Sequence, residues 1–216
     1  MRADRAPALL ADLPDRLRLP LTFEPARMAA EVAQIAEADW IAHFVADNYE
    51  GRWSILPLRC KRGATHPILM AVSDPSATAF EDTPWLARSP YLAEVLSAFA
   101  CPLLSVRLMR LDPGSRIKPH ADHDLDAKLG QARLHVPITS NPDVRFWLNG
   151  TQAVMQPGET WYLRLSDTHS IDNPGVSARV HLVIDCKVDA WLAAMMAGAD
   201  VQAQKQPTST MSGGSG

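Results

Sequence analysis

The amino-acid sequence predicts an α+β domain, mainly β, in which a sandwich or barrel of short strands carries a layer of N-terminal helices. Three observations carry this reading. From residue 102 onward, short apolar segments follow one another at 103–111, 133–138, 144–148, 153–155, 160–165 and 178–186. Turn formers separate several of them, among them Asp112-Pro113-Gly114, Asn149-Gly150 and Pro157-Gly158. An Asn-Gly pair between apolar runs marks a two-residue hairpin, because both residues tolerate positive φ. Helical periodicity, in contrast, is gathered upstream. The 216 residues suit one domain, and 47% apolar content supplies a packed core.

In chain order, the apolar stretch 6–11 is flanked by Asp4 and Asp12 and is too short and acidic for a secretory signal. Residues 16–23 alternate basic and apolar side chains, as an edge strand does, and Pro20 confines them to an edge. Glu24 to Trp40 is alanine-rich with Met28, Val32, Ile35 and Ala36 at helical spacing and Pro25 at its start, which predicts a helix. Trp53 to Cys60 reads as a strand and 61–82 as a loop. Ser89 to Ala100 predicts a second helix, with Ser89 as N-cap and Pro90 at N1. Residues 1–101 are thus expected to pack strands and helices on the core and shape the mouth of its site. Residues 102–190 form that core, and the polar Gly/Ser segment 202–216 is expected to be a disordered tail.

Lys and Arg number 21 against 24 acidic residues, a net charge of -3, which argues against general nucleic-acid binding. Three widely spaced cysteines build neither a disulfide framework nor a Cys-rich zinc site, and suit a reducing compartment. No apolar run approaches the roughly 18 residues of a membrane span. The expectation is a soluble, cytoplasmic protein with no membrane partner.

The chemistry gathers in the β-rich half, where five of seven histidines lie between 120 and 181. His120-Ala121-Asp122 places an imidazole and a carboxylate two residues apart, on one face of a strand. With a second histidine from a distant strand, for which His169 is the natural candidate, they would occupy one face of an octahedral iron and leave positions open. Histidine-x-aspartate alone is a common surface dipeptide, and His123-Asp124 is a weaker alternative pair. Two strands with basic faces accompany it. Arg179 and His181 lie opposite Val180, Leu182 and Ile184, while Arg133 and His135 lie opposite Leu134, Val136 and Ile138. A wet sheet face is the plain explanation, but it would mix Lys, Thr, Ser and Glu. Paired Arg-x-His faces fit an anion site beside the metal, since guanidinium grips a carboxylate bidentately.

Asp122 to Asp126 opens like an EF-hand loop, but Ala127 stands where the glycine belongs and Arg133 at the twelfth position. A zinc hydrolase fits the ligand types and leaves the Arg-x-His strands without a role. Trp53, Arg59 and Arg62 are candidates to line a substrate mouth, with a solvated strand and loop as the alternative. His181 reads as a core histidine, His43 and His66 as surface residues, and Trp161 and Tyr162 as core.

Residues 107–186 resemble the aspartyl/asparaginyl β-hydroxylase family of iron(II)- and 2-oxoglutarate-dependent dioxygenases, which includes bacterial proline hydroxylases. The matching stretches are VRLMRLDPGSRIKPHADHD, RLHVPITSNPDVRFWLNG, MQPGETWYL and HSIDNPGVSARVHLVID. The resemblance implies a double-stranded β-helix, the cupin-like jelly roll. It implies that His120, Asp122 and His169 bind Fe(II), that Arg179 holds the distal carboxylate of 2-oxoglutarate, and that Arg133 and His135 reach the same co-substrate. Trp147 lies near a pocket-lining position. The implied reaction uses O2 to hydroxylate an unactivated C–H of an amino acid, free or peptide-bound and Asp-, Asn- or Pro-like, and gives succinate and CO2. Animal members lack the acidic ligand, whereas this chain retains Asp122 as amino-acid hydroxylases do. Two other readings stand beside it: a non-catalytic jelly-roll sensor of 2-oxoglutarate or metal, and a cupin-like metal-dependent hydrolase or isomerase.

Overall fold

Two antiparallel sheets face one another in the computed structural model, which describes Leu10 and residues 13–74 and 77–199. The expectations for the N-terminal stretch 6–11 and for the tail 202–216 fall outside those residues, apart from Leu10. The strands are β1 (Arg16–Thr22), β2 (Ile41–Ala42), β3 (Tyr49–Glu50), β4 (Trp53–Lys61), β5 (Phe80–Asp82), β6 (Leu103–Leu111) and β7 (Ser115–His120). They continue with β8 (Gln131–Thr139), β9 (Arg145–Leu148), β10 (Thr151–Ala153), β11 (Glu159–Leu163), β12 (His169–Asn173) and β13 (Arg179–Lys187). The helices are α1 (Pro25–Val32), α2 (Pro67–Ala71), α3 (Pro84–Ala87), α4 (Pro90–Ser97) and α5 (Ala190–Ala197).

One sheet runs β1-β11-β8-β13-β6-β4-β2, with β5 added on β4, and the other runs β10-β9-β12-β7-β3. From β6 onward the chain passes repeatedly from one sheet to the other, so β6, β8, β11 and β13 face β7, β9, β10 and β12. That strand order is the double-stranded β-helix, or jelly roll. The first hundred residues extend it: β1 pairs along β11, and β4 pairs along β6.

Strand alternation divides the apolar side chains between two cores. Leu108, Leu134, Val136, Leu182 and Ile184 point outward into the cluster that holds Met28, Leu92, Val95 and Leu192 of the helices. Met109, Leu111, Val183, Phe146 and Leu148 fill the space between the sheets. Because helices cover one face and the second sheet covers the other, eight of the nine residues of β13 are buried. Arg179, His181 and Asp185 therefore lie inside the protein, on the inter-sheet face.

Several elements differ from the sequence reading. The helix expected over 24–40 ends at Val32. The chain then makes a short 3-10 turn at Glu37–Asp39 and becomes extended, so that Ile41 can pair with Ile55 on the sheet edge. Ser89 stands at the N-cap of α4 with Pro90 in the first turn, as expected, but its side chain makes no capping bond. Its hydroxyl donates to the Trp85 carbonyl, and the Glu31 carboxylate of α1 accepts the Tyr91 and Leu92 amides at 2.7 and 2.9 Å instead. A tertiary carboxylate at a helix N-terminus satisfies the orphan donors as well as a local cap. The 61–82 segment contains α2 and β5, and the strand near 153–155 lies at 151–153. The Asn149-Gly150 hairpin forms as expected, with φ of 51° and 72°. No helix among the described residues is long and apolar enough to cross a membrane.

Candidate active site

A cavity of about 320 Å³ opens between the sheets, and most of the candidate residues line it. His120 closes β7 and His169 opens β12, and the two face each other directly in the antiparallel register. The loop after β7 returns Asp122 to the same place, with its amide donating to the Leu165 carbonyl at 2.8 Å. Ligand atoms of His120, Asp122 and His169 all lie within 4.8 Å of one another. Each imidazole is oriented by its Nδ1, which lies 2.8 Å from the Lys118 carbonyl in His120 and 3.1 Å from the Asp167 carbonyl in His169. Both Nε2 atoms are thereby left as lone-pair donors, the arrangement metal-binding histidines use. Burial, reinforced by the His120 ring, pulls His169 down to about 4, so it is neutral and able to ligate at physiological pH.

Three arginines and one buried acid form the wall behind these ligands. Asp185 on β13 is 1% exposed and stands opposite Arg133 of β8 in the sheet. Its Oδ1 accepts from Arg133 Nε at 2.6 Å, and its Oδ2 accepts from Arg133 Nη2, Arg107 and the Ser73 hydroxyl. Burial opposes its ionisation, yet Arg107 and Arg133 hold it far below the usual carboxylate range. Arg133 Nη1 donates to Asp122 Oδ2 at 2.6 Å. A continuous charged chain thus runs from Arg107 through Asp185 and Arg133 to Asp122.

Arg179 stands apart from that chain. It is 2% exposed, donates through Nη2 to His181 Nδ1 at 2.8 Å, and has no partner for Nε. Burial lowers it to about 9 with no acid offsetting the loss. Among the described residues it has no carboxylate partner. His135 Nδ1 lies 3.4 Å from His181 Nδ1. Because guanidinium only donates, His181 Nδ1 is an acceptor, and the His135 contact is a hydrogen bond when His135 carries its proton on Nδ1. His135 Nε2 is then a buried acceptor without a partner. Burial, then Arg179, keeps His135 well below its usual value.

The structure brings His120, Asp122, His169, Arg133, His135, Arg179 and Trp53 to the cavity wall. Arg59 is not brought there: it pairs with Asp82 at 2.5 Å and bonds the Phe80 and Leu103 carbonyls. Trp147 alternates to the other face of β9, and its neighbour Phe146 lines the cavity instead. The Phe146 ring stacks on His169 at 6.1 Å, meets His135 edge-on at 5.9 Å, and lies 5.8 Å from the Arg179 guanidinium carbon. His43, expected at the surface, is half-buried and stacked on Trp53 with ring centroids 3.5 Å apart. Burial, then Arg107, lowers it to about 4. His66 is exposed, and Trp161 and Tyr162 are core, as expected.

The family model described as Aspartyl/Asparaginyl beta-hydroxylase matches residues 24–188. An L-proline cis-4-hydroxylase of Rhizobium meliloti (strain 1021) is 27% identical over 172 residues, which is 78% of this chain and 59% of that protein. The chain therefore spans about 59% of the length of this curated relative. Among solved structures, the viral collagen prolyl hydroxylase of Paramecium bursaria Chlorella virus-1 aligns over 82% of this chain and 97% of its own, at 9% identity and a TM-score of 0.47. An oxidoreductase of the 2OG-Fe(II) oxygenase family from Burkholderia pseudomallei aligns over 74% and 78%, at 14% identity and a TM-score of 0.44.

Proposed function

We propose that this chain, which belongs to the aspartyl/asparaginyl β-hydroxylase family, is an iron(II)- and 2-oxoglutarate-dependent hydroxylase acting on a C–H bond of an amino acid, free or within a peptide. The observation that carries this reading is one cavity holding both a His-Asp-His ligand set and a buried guanidinium with no carboxylate of its own. The proline hydroxylase among its relatives supports the substrate class.

The residues present fit the implied groups. His120 Nε2, His169 Nε2 and Asp122 would hold iron on one face of an octahedron. Arg133 keeps Asp122 Oδ2 occupied, which leaves Oδ1 for the metal. Half of the buried polar side-chain atoms without a partner among the described residues belong to this cavity: Trp53 Nε1, Arg107 Nε, His135 Nε2 and Arg179 Nε. Such atoms are costly unless a ligand satisfies them. When bound, iron with 2-oxoglutarate and O2 supplies the oxidising chemistry that turns C–H into C–OH, with succinate and CO2 as co-products.

The chain's own residues bind, orient and exclude water. Arg179 would pair with the far carboxylate of 2-oxoglutarate and so recover the cost of its burial. His135 would meet the same molecule from β8. Phe146 fixes the spacing between His169 and Arg179 and keeps that part of the wall apolar. A cupin-like hydrolase would use the metal ligands but leave Arg179 uncompensated. The test is aerobic incubation with iron(II), 2-oxoglutarate and a set of amino acids and Asp-, Asn- or Pro-containing peptides. Succinate formed one-for-one with a product that has gained one oxygen atom is expected. Failure of every substrate to raise succinate above the iron-only background would refute the proposal.

A further inference from the structure

Phe146 and Arg179 also line a second cavity, of about 550 Å³, which none of the candidate metal ligands reaches. Its walls come from residues 140–144 after β8, from residues 152–157 of β10 and the segment that follows it, and from Arg179 and His181 of β13. The sheet is irregular at this point: the pairing of β13 with β8 shifts register between Val180 and His181, a bulge that interrupts the ladder. The Phe146 ring and the Arg179 guanidinium therefore stand between two spaces, and the reading above uses only one of them.

The chemistry of the second cavity is that of an anion site. Among the described residues that line it, Arg179 is the one charged side chain, and no carboxylate balances it. Arg179 is 2% exposed, and its Nε is buried without a partner. His181, equally buried, accepts from Arg179 Nη2 on its Nδ1 at 2.8 Å. Burial, then Arg179, keeps that imidazole neutral, so its own proton sits on Nε2. The pair thus offers donors and a single positive charge, which a monoanion balances. Val144, Phe146 and Met155 give the same space apolar surface, and the exposed Gln152 and Gln156 mark its opening to solvent. A carboxylate on a short aliphatic body matches both halves of this lining.

We propose that the second cavity is a regulatory site for an aliphatic monocarboxylate, which pairs with Arg179 there and so competes with 2-oxoglutarate without touching the iron. The competition rests on the reading of Arg179 as the co-substrate's partner, whereas the binding itself does not. One buried guanidinium balances one carboxylate, and a second carboxylate brought to it would be a buried charge without a counter-charge. Occupation of one cavity therefore weakens binding in the other, and by linkage the effect is reciprocal.

The test uses the full chain with hexanoate as probe and hexanamide as its neutral counterpart. Met155 lines only the second cavity and Met109 only the first, so their methyl groups report where the probe sits. With diamagnetic zinc(II) in the metal site, hexanoate should bind about 10- to 100-fold more tightly than hexanamide, the worth of one charge-assisted contact. Nuclear Overhauser contacts should join it to the Met155 methyl and not to that of Met109. No saturable binding, equal binding of the amide, or contact with Met109 overturns the proposal. Under anaerobic iron(II), hexanoate at ten times its Kd should raise the 2-oxoglutarate concentration that half-saturates the charge-transfer band about tenfold. An unchanged midpoint overturns the regulatory role. If no band forms, the reading of the first cavity falls and the competition with it, while the Met155 contact still decides the site. Val144→Trp, which fills the second cavity, should lose hexanoate binding and keep the 2-oxoglutarate midpoint; a variant that still binds hexanoate overturns the proposal. Should that variant not fold, the methyl contacts of the unaltered protein decide.

Discussion

Replacing Arg179 with Met separates binding from stability, because the two should move in opposite directions. Burial without an acidic partner lowers Arg179 from 12.5 to about 9, and each pKa unit corresponds to roughly 1.4 kcal/mol, so the buried charge costs on the order of 5 kcal/mol. Methionine removes that cost and fills similar volume. It also removes the donor to His181 Nδ1, and an unsatisfied buried acceptor costs about 1–3 kcal/mol. The net expectation for ligand-free Arg179→Met is a gain of about 2–4 kcal/mol in unfolding free energy. The same change would delete the guanidinium–carboxylate contact proposed between Arg179 and 2-oxoglutarate. At about 1.5–3 kcal/mol per charged hydrogen bond, two such bonds weaken 2-oxoglutarate binding by roughly 10²- to 10⁴-fold. Urea denaturation of both proteins, with and without iron(II) and 2-oxoglutarate under anaerobic conditions, measures both effects. Both proteins should gain stability from iron(II), as binding to the native state requires, and only the unaltered protein should gain further when 2-oxoglutarate is added. A variant less stable than the parent by more than about 1 kcal/mol, or one stabilised equally by 2-oxoglutarate, would refute the assignment of an uncompensated cation.

Three further outcomes follow from the same geometry. His135 presents a neutral acceptor to the incoming dianion, so binding should raise its pKa and take up close to one proton. Affinity for 2-oxoglutarate should then rise as pH falls through the bound-state value, and calorimetry in buffers of different ionisation enthalpy should show that uptake; buffer-independent heats contradict it. Asp185→Asn breaks a buried carboxylate shared by Arg107 and Arg133, which should cost about 3–5 kcal/mol in denaturant unfolding. It should also reduce metal affinity about 10- to 100-fold in a chelator competition, because Arg133 no longer holds Asp122 in place. Phe146→Ala should lose about 3–5 kcal/mol and most 2-oxoglutarate binding, whereas Trp147→Ala, on the outward face of β9, should leave that binding unchanged by equilibrium titration.

The sequence was most legible where a local pattern governs the outcome. Strand alternation alone puts Arg179 and His181 on one face and Val180, Leu182 and Ile184 on the other, and the structure keeps that division. His120, Asp122 and His169 gather as expected, but by a different route. β7 ends at His120, and the loop amide bonded to Leu165 returns Asp122, so strand periodicity is not what joins them. Long-range pairs were the hidden part. Arg107 and Asp185 are 78 positions apart and meet only because β6 and β13 are neighbours. His43 reads as a polar loop residue until β2 returns the chain to β4 and lays its ring on Trp53. Choosing between Phe146 and Trp147 required the strand's register, since one residue reverses the face. The start of α4 was read correctly at Ser89-Pro90, but the group that caps it was not, because the Glu31 carboxylate comes from another helix.

The central claim is that one cavity binds iron through His120, Asp122 and His169 and 2-oxoglutarate through Arg179. It is tested most directly by anaerobic titration of the metal-free protein with iron(II) and 2-oxoglutarate, followed by visible absorbance. A weak charge-transfer band that requires both additions, and is missing in His120→Ala and in Arg179→Met, is the predicted result. Iron binding without the band, or a band that survives both substitutions, would contradict the account.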